Sequence, residues 1–112
     1  MRFEVQVIPD CFVSIKRLSK RYRSFKKDFK DFSDELKKNP FQGDEIAPGV
    51  RKIRMAITSK GRGKSGGARV ITYTVAVSEA SGEVYIVEVY DKSDSSSVVA
   101  SVIKEKIEKL GF

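Results

Sequence analysis

The stretch from residue 51 to residue 73 reads RKIRMAITSKGRGKSGGARVITY, and it decides the fold. Apolar and polar side chains alternate on either side of its glycine-rich centre, residues 60–67, over residues 50–58 and 68–78. Alternation with a period of two is typical of a β-strand that buries one face. The stretch therefore predicts two strands joined by a glycine turn, which favours antiparallel pairing.

The same stretch concentrates the charge of the chain. Residues 46–78 contain no Asp or Glu but seven of the 22 Lys and Arg residues, and the 15 that remain equal the 15 Asp and Glu in number. The formal net charge of +7 is therefore that of this run. A localised positive potential attracts polyanions, and we expect a nucleic-acid site. The seven bases are Arg51, Lys52, Arg54, Lys60, Arg62, Lys64 and Arg69.

The glycines of the turn raise the question of a phosphate-binding loop. Gly61, Gly63, Gly66 and Gly67 lie among the bases and would let the backbone approach a ligand closely. Residues 61–66 match GxGxxG, but the dinucleotide fingerprint needs a helix directly afterwards, and residues 68–78 alternate like a strand. A P-loop would need glycine where Thr58 stands. Both of these motifs are excluded.

The rest of the chain predicts the elements around this hairpin. Residues 2–8 alternate like a strand, and apolar residues at helical spacing predict helices over residues 12–22 and 24–38, the second capped by Ser24. A third strand of the hairpin group spans residues 83–90, and a C-terminal helix spans residues 98–110, with serines at 95–97 to cap it. Residues 1–112 thus predict one α+β domain, with two N-terminal helices packed on a mainly antiparallel four-stranded sheet and a C-terminal helix.

Composition excludes several classes of site and location. The chain has no His and a single Cys, Cys11, so a zinc site would have to be all carboxylate, which is uncommon, and a His-based catalytic triad is not available. We expect no metal and no cofactor. Cys11, which we expect to be a small buried residue, has no partner for an intramolecular disulfide. The N-terminus lacks the apolar core of a signal peptide, and no apolar run is long enough to span a bilayer. We expect a cytoplasmic protein that makes no membrane contact.

Basic and tyrosine side chains are sufficient for one kind of reaction, the cleavage of RNA by its own 2′-hydroxyl. Arg and Lys stabilise the charge that develops on phosphorus, and a Lys or Tyr can move the protons. On alternating strands Lys52 and Arg54 share one face, and Arg69 and Tyr73 share one face. Alternation alone leaves open whether these two faces coincide. The plainer alternative is that the bases solvate a loop and the tyrosines cap the core.

Several motifs resemble a known family. Residues 51–54 (RKIR), 63–73 (GKSGGARVITY) and 90–93 (YDKS) are similar to the RelE/HigB-type toxins of bacterial type II toxin–antitoxin systems, in the RelE/ParE superfamily. Residues 18–24 (LSKRYRS) and 39–43 (NPFQG) are similar to the same family. The resemblance covers about residues 10–93 and implies a RelE-like α+β fold.

The resemblance also implies a function and partners. Toxins of this family enter the ribosomal A site and cut mRNA there, so the resemblance implies an endoribonuclease, a ribosome-dependent mRNA interferase that inhibits translation. Its partners would be mRNA, rRNA and a cognate antitoxin protein, the last in a toxin–antitoxin hetero-oligomer. Two alternatives stay open: a ParE-like toxin that inhibits DNA gyrase without nuclease action, and a non-catalytic RNA- or ribosome-binding module.

Residue roles follow from the same resemblance. Arg69 matches the arginine that family members place on the scissile phosphate. Because Arg69 begins a strand beside a glycine turn, we expect its side chain to be exposed. Tyr90 and Lys92 are both candidates for the proton donor. The catalytic set is Lys52, Arg54, Arg69, Tyr73, Tyr90 and Lys92, and the further nucleic-acid-binding set is Arg51, Lys60, Arg62 and Lys64.

Overall fold

The computed structural model describes residues 2–94 and 100–111. Its strands and helices follow in chain order, with short 3-10 helices at Pro9–Cys11 and Thr58–Lys60. They are β1 (Arg2–Val7), α1 (Phe12–Arg21), α2 (Phe25–Lys38), β2 (Asp44–Ala47), β3 (Val50–Met55), β4 (Ala68–Ser78), β5 (Ser81–Asp91) and α3 (Ala100–Glu108). The predicted α+β class is confirmed, and β4 has the bounds that the alternation predicts.

The sheet has five strands in the order β1-β5-β4-β3-β2. Strands β2 to β5 pair with their neighbours in antiparallel fashion, whereas β1 pairs with β5 in parallel. The prediction of four strands is therefore wrong, and the sheet is mixed. Because β1 is separated from β5 by the whole helical segment, no local turn signal indicated which strand it would join.

The additional strand, β2, lies in what the sequence indicated was a loop. All four of its residues are exposed, and among the described strands it pairs only with β3, through a register shift between Glu45 and Ala47. A short edge strand of this kind buries no apolar face, so it leaves no period-two pattern in the sequence. This is the physical reason that the strand count was one too low.

The helices cover opposite faces of the sheet. Helices α1 and α2 lie over the face that carries Met55 and Asp91, since Phe32 of α2 lines a groove with Met55, and Tyr22 donates a hydrogen bond to Asp91. Helix α3 lies over the other face, where Ile103 and Ile107 line a groove with Val50 and Tyr73, and Lys106 pairs with Glu88. The larger part of the core lies between the sheet and the α1–α2 pair.

Several local predictions meet the structure with small corrections. Ser24 precedes α2, but its hydroxyl hydrogen-bonds Asp28 and Ser59 rather than capping the helix backbone. Cys11 is fully buried, as expected, and burial raises the pKa of its thiol to about 12. The predicted cap at residues 95–97 and the first residues of the predicted C-terminal helix, Val98 and Val99, lie outside the described residues. No helix within residues 2–94 and 100–111 is long and apolar enough to cross a membrane.

Candidate nucleic-acid interface

Three candidate residues form a row across the central strands. In the register of the sheet, Arg54 of β3 is directly opposite Arg69 of β4, and Arg69 is directly opposite Tyr90 of β5. Directly opposite residues share a face, with Cβ atoms about 5 Å apart. Like charges in this arrangement cost stability. Two adjacent arginines on neighbouring central strands therefore need an explanation beyond strand pairing.

Two more candidates extend this row on the same face. Lys52 is opposite Ile71, two positions along from Arg69, and Val50 is opposite Tyr73. Alternation alone could not show whether the face that carries Lys52 and Arg54 is also the face that carries Arg69 and Tyr73. The register between β3 and β4 shows that these residues share one face. We call the set of Lys52, Arg54, Arg69, Tyr73 and Tyr90 the basic row. Helix α3 lies beside it, over the part that contains Tyr73.

Arg69 is buried, and the expectation that it is exposed is wrong. Its side chain lies under the glycine turn, and the residue retains 5% of its accessible surface. One guanidinium nitrogen donates to the carbonyl oxygens of Lys64 and Ala68, both at 3.2 Å, and the other donates to that of Ser65 at 2.8 Å. The turn supplies these oxygens because it folds back over the start of β4. In this structure Arg69 holds the turn closed.

The backbone of the turn itself requires glycine at several positions. Gly61 and Gly63 adopt positive φ angles of 70° and 61°, a conformation that L side chains rarely take. At Gly67 the chain passes so close to β3 that a Cβ atom would lie 2.1 Å from the carbonyl oxygen of Met55. These positions need glycine for the turn itself. The glycine content therefore gives no separate support to close approach by a ligand.

Lys60 lies on the side of the sheet that α1 and α2 cover, in a hydrogen-bond network centred on Asp91. The Asp91 side chain is fully buried, and one of its oxygens accepts a hydrogen bond from the Lys60 ammonium at 2.6 Å and from the Ser93 backbone at 2.9 Å. The other oxygen accepts bonds from the Tyr22 hydroxyl and, at 3.2 Å, from Arg21. Lys60 is thereby committed to tying the turn to α1 and the end of β5.

Sequence reasoning did not identify Asp91 as important. Burial by itself raises the pKa of its carboxyl, but the hydrogen bonds from Lys60, Tyr22 and Ser93 outweigh burial and hold the pKa well below its usual range. Tyr22 and Lys60 are 69 and 31 positions away in the chain. A single Asp at the end of a strand carries no local signal of such a network.

Arg51 is also separated from the basic row. It lies on the opposite face of β3 and pairs with Glu45 of β2 at 3.6 Å, with its guanidinium 5.2 Å from the centre of the Phe41 ring. This pairing joins the edge strand to its neighbour. Arg51 therefore contributes less free positive charge to the site than its place in the sequence suggests.

Five of the ten candidates remain as charges with neither an ion pair nor a side-chain hydrogen bond among the described residues. Arg54, Arg62, Lys64 and Lys92 are exposed and Lys52 is half-buried. Lys92 directly follows β5, and its backbone nitrogen donates to the carbonyl oxygen of Gly67 at 3.1 Å, which keeps it beside the turn. These five basic residues lie on β3, in the turn and directly after β5, and they form the surface that is available to a phosphate backbone. Lys64 is at the edge of this surface, because it also lines a groove with Asp28, Asp31 and Glu35 of α2.

One polar group of the basic row is left unsatisfied. The hydroxyl of Tyr90 is buried and has no hydrogen-bond partner among the described residues. Most buried polar groups are paired, and an unpaired one calls for an explanation such as a functional role. The hydroxyl belongs to the residue directly opposite Arg69, so this orphaned group lies in the candidate site rather than elsewhere in the core.

The Asp91 network predicts a loss of stability in acid. The pKa of Asp91 is lower in the folded chain than its ordinary value of 3.8, so its contribution is complete above about pH 4 and is lost as the pH falls further. We expect the free energy of unfolding to drop steeply below pH 4. Urea titrations at pH 7 and pH 3 would measure this free energy. The difference in the free energy of unfolding between wild type and Asp91→Asn should be smaller at pH 3 than at pH 7. A gap of the same size at both values would contradict the assignment.

The position of Arg69 predicts that it stabilises the turn. Arg69→Ala removes charge-assisted hydrogen bonds to three carbonyl oxygens, and we expect a loss on the order of 2 kcal/mol in the free energy of unfolding. The matched control is Arg54→Ala, because Arg54 is directly opposite but exposed and should stay within about 0.5 kcal/mol of wild type. Chemical denaturation measures both. Equal stability of the two variants would show that the turn does not depend on Arg69.

Comparison with known families adds no assignment, because no family model matches this chain. Within the part of the chain that the structure describes, no group of three or more His, Cys, Asp or Glu side chains is placed to hold a metal ion. The chemistry available at the site is that of Arg, Lys and Tyr side chains.

Proposed function

We propose that this protein is a RelE/HigB-type toxin with a RelE-like fold, a ribosome-dependent mRNA endonuclease paired with a cognate antitoxin. The observation that carries the proposal is the basic row. The register of β3, β4 and β5 gathers five of the six candidate catalytic residues on one sheet face, although they are spread over residues 52–90. The sixth, Lys92, is held beside them at the turn.

The proposed reaction needs no group beyond these side chains. The 2′-hydroxyl of the RNA gives its proton to a Lys or Tyr side chain of the basic row that acts as a base, and its oxygen bonds to the adjacent phosphorus. The bond from phosphorus to the 5′-oxygen breaks, and that oxygen takes up a proton. In this proposal Lys52 and Arg54 stabilise the charge on the phosphoryl oxygens through charge-assisted hydrogen bonds. Tyr90 or Lys92 is the proton donor to the leaving oxygen.

Arg69 takes a different place in this proposal from the one expected at first. Its guanidinium already holds three carbonyl oxygens, so it can bind a phosphate only in exchange for them. We assign the first phosphate contacts to Arg54 and Lys52, and Arg69 to a step in which phosphate oxygens replace the carbonyl oxygens of the turn. The Arg69→Ala variant should therefore lose both stability and cleavage, whereas Arg54→Ala should lose cleavage alone.

A second candidate is a non-catalytic ribosome- or RNA-binding module. The observation in its favour is that Arg69 and Lys60 are committed to internal bonds, which leaves a basic surface of four exposed residues and the half-buried Lys52. Such a surface is sufficient for binding to RNA. The gyrase-inhibiting alternative has no particular feature of the structure in its favour.

A purified translation system separates these candidates. An end-labelled mRNA is incubated with the protein in the presence and absence of ribosomes, and its length is read on a gel. We expect shortening only with ribosomes. Intact mRNA with translation nevertheless inhibited would favour the binding module, and inhibition of gyrase supercoiling in a parallel assay would favour the gyrase toxin.

Binding to RNA should depend steeply on salt. If each of the five unpaired Lys and Arg side chains contacts one phosphate of single-stranded RNA, the affinity should fall roughly a hundredfold between about 50 and 200 mM salt. Fluorescence anisotropy with a labelled oligoribonucleotide would measure this slope. Replacing Arg62 and Lys64 by Gln should flatten it, since both belong to the exposed set. A slope that is flat in wild type would contradict electrostatic binding at this surface.

The proposed antitoxin would cover this basic surface. A segment with Asp and Glu side chains is the chemistry that complements five unpaired bases, and it would exclude RNA by occupying the same face. Inhibition of cleavage by the antitoxin should therefore weaken in the Arg62→Gln/Lys64→Gln variant.

A further inference from the structure

A second basic surface lies on the α1–α2 pair, on the other side of the sheet from the basic row. Residues 11–27 contain no Asp or Glu and carry seven bases, all of which are exposed in the structure. Arg21 pairs with Asp91 and Asp94, and Lys27 pairs with Asp31. The other five, Lys16, Arg17, Lys20, Arg23 and Lys26, make no ion pair with any described residue.

This surface is also apolar at its centre. A groove of 360 Å³ runs along α1 and reaches the first turn of α2, and we call it the α1–α2 groove. Phe12, which is 56% exposed, lies in it next to Ile15, and the neighbouring Val13 is 66% exposed. Lys16, Lys20 and Lys26 line the same groove. An exposed apolar patch bordered by unpaired charges of one sign is typical of an interaction site.

From this geometry we infer that the α1–α2 groove binds an acidic segment of a partner protein, with an apolar side chain of that segment seated between Phe12 and Ile15. Asp and Glu side chains on either side of the anchor would pair with Lys16, Lys20 and Lys26. The inference does not depend on the proposed nuclease function, because the groove lies on the opposite layer and shares no residue with the basic row.

The combination of groove and charge favours a protein segment over other polyanions. A nucleic-acid backbone would use the five free bases, but it has no group to fill an aliphatic floor formed by Ile15. An anionic membrane would present headgroups in a plane, whereas a peptide segment can place one apolar side chain in the groove that Phe12 and Ile15 line, with carboxylates on either side. An amphipathic segment with one apolar anchor satisfies both features at once.

Selection from a phage-displayed library of random 16-residue peptides tests the inference on the intact chain. We expect enriched peptides to carry several Asp or Glu residues around a Leu, Ile or Phe. Lys16→Glu/Lys20→Glu should weaken the binding of a synthetic copy at least roughly tenfold, as should Phe12→Ser. The matched control is Lys37→Glu/Lys38→Glu, which makes the same change of charge at exposed positions in the last turn of α2, and it should leave the affinity unchanged.

Three results would overturn the inference. One is the absence of enriched peptides, or enrichment of peptides without acidic residues. Another is equal affinity for the groove variants and the Lys37→Glu/Lys38→Glu control. The third is binding of a labelled oligouridine or of phosphatidylserine vesicles that is lost in Lys16→Glu/Lys20→Glu but kept in Phe12→Ser. That pattern would make the surface a site for a simple polyanion, because Phe12 would then contribute nothing.

Discussion

Asp91→Asn lowers the free energy of unfolding by about 3 kcal/mol or more, the expected result of breaking a buried ion pair. The Asp91 side chain is fully buried, and that of Lys60 retains 11% of its accessible surface, so the substitution leaves a nearly buried ammonium without its counter-charge. Asn also offers one carbonyl oxygen in place of two carboxylate oxygens to the donors from Lys60, Tyr22, Arg21 and Ser93. For a domain of this size, whose whole stability is about 5–15 kcal/mol, this is a large fraction.

The matched control for this substitution is Asp94→Asn. Asp94 accepts a hydrogen bond from the same Arg21, at 2.7 Å, but its side chain is 49% exposed, so solvent screens the pair and its loss should change the unfolding midpoint very little. Lys60→Met made in the Asp91→Asn protein supplies a second check, because it removes the ammonium that Asp91→Asn leaves without a counter-charge, so part of the lost stability should return. Thermal or urea unfolding measures all three. Similar midpoints for Asp91→Asn and Asp94→Asn would mean that the network is not what ties the turn to α1.

Arg54→Ala has the largest expected effect on activity. A single preorganised donor to a developing oxyanion is worth on the order of 3 kcal/mol, so we expect single-turnover cleavage on programmed ribosomes to fall roughly a hundredfold or more. Arg54 is exposed and makes no ion pair or hydrogen bond to a described side chain, so the variant should remain folded. Arg54→Lys should recover part of the rate, because an ammonium keeps the charge without the bidentate geometry of a guanidinium.

The control for Arg54 is another exposed arginine away from the basic row. Arg23 lies in the connection between α1 and α2, on the other side of the sheet from the basic row, and makes no ion pair among the described residues. Arg23→Ala makes the same change of charge and should keep cleavage near the wild-type rate. Circular dichroism confirms that each variant is folded. If a folded Arg54→Ala protein cleaves as fast as Arg23→Ala, the basic row is not the catalytic surface.

Sequence alone was sufficient where short-range pattern decides the structure. The alternation in residues 68–78 predicted β4 with its observed bounds, and the apolar spacing in α2 predicted a helix that ends at Lys38. In both cases one face of the element packs on a core, and burial of that face imposes a period on the sequence. The four exposed residues of β2 bury no such face, so nothing in them predicted a strand.

The candidate site was predictable in composition but not in arrangement. Alternation placed Lys52 with Arg54 and Arg69 with Tyr73, and only the strand register shows that Arg54 and Arg69 are directly opposite. Arginine side chains generally lie at the surface, but Arg69 is buried. Its burial depends on hydrogen bonds to carbonyl oxygens of the turn, and the sequence of side chains does not predict the backbone path of that turn. The pairing of Lys60 with Asp91 joins residues 31 positions apart.

Toeprinting on ribosomes programmed with a defined mRNA tests the central claim most directly. Primer extension reports, at nucleotide resolution, whether the mRNA is cut and where the cut lies relative to the ribosomal A site. We expect the wild-type protein to produce a new 5′ end within the A-site codon, and none on the same mRNA without ribosomes. An mRNA that stays intact on ribosomes to which the folded protein is bound would contradict the nuclease function and leave the basic row as a binding surface.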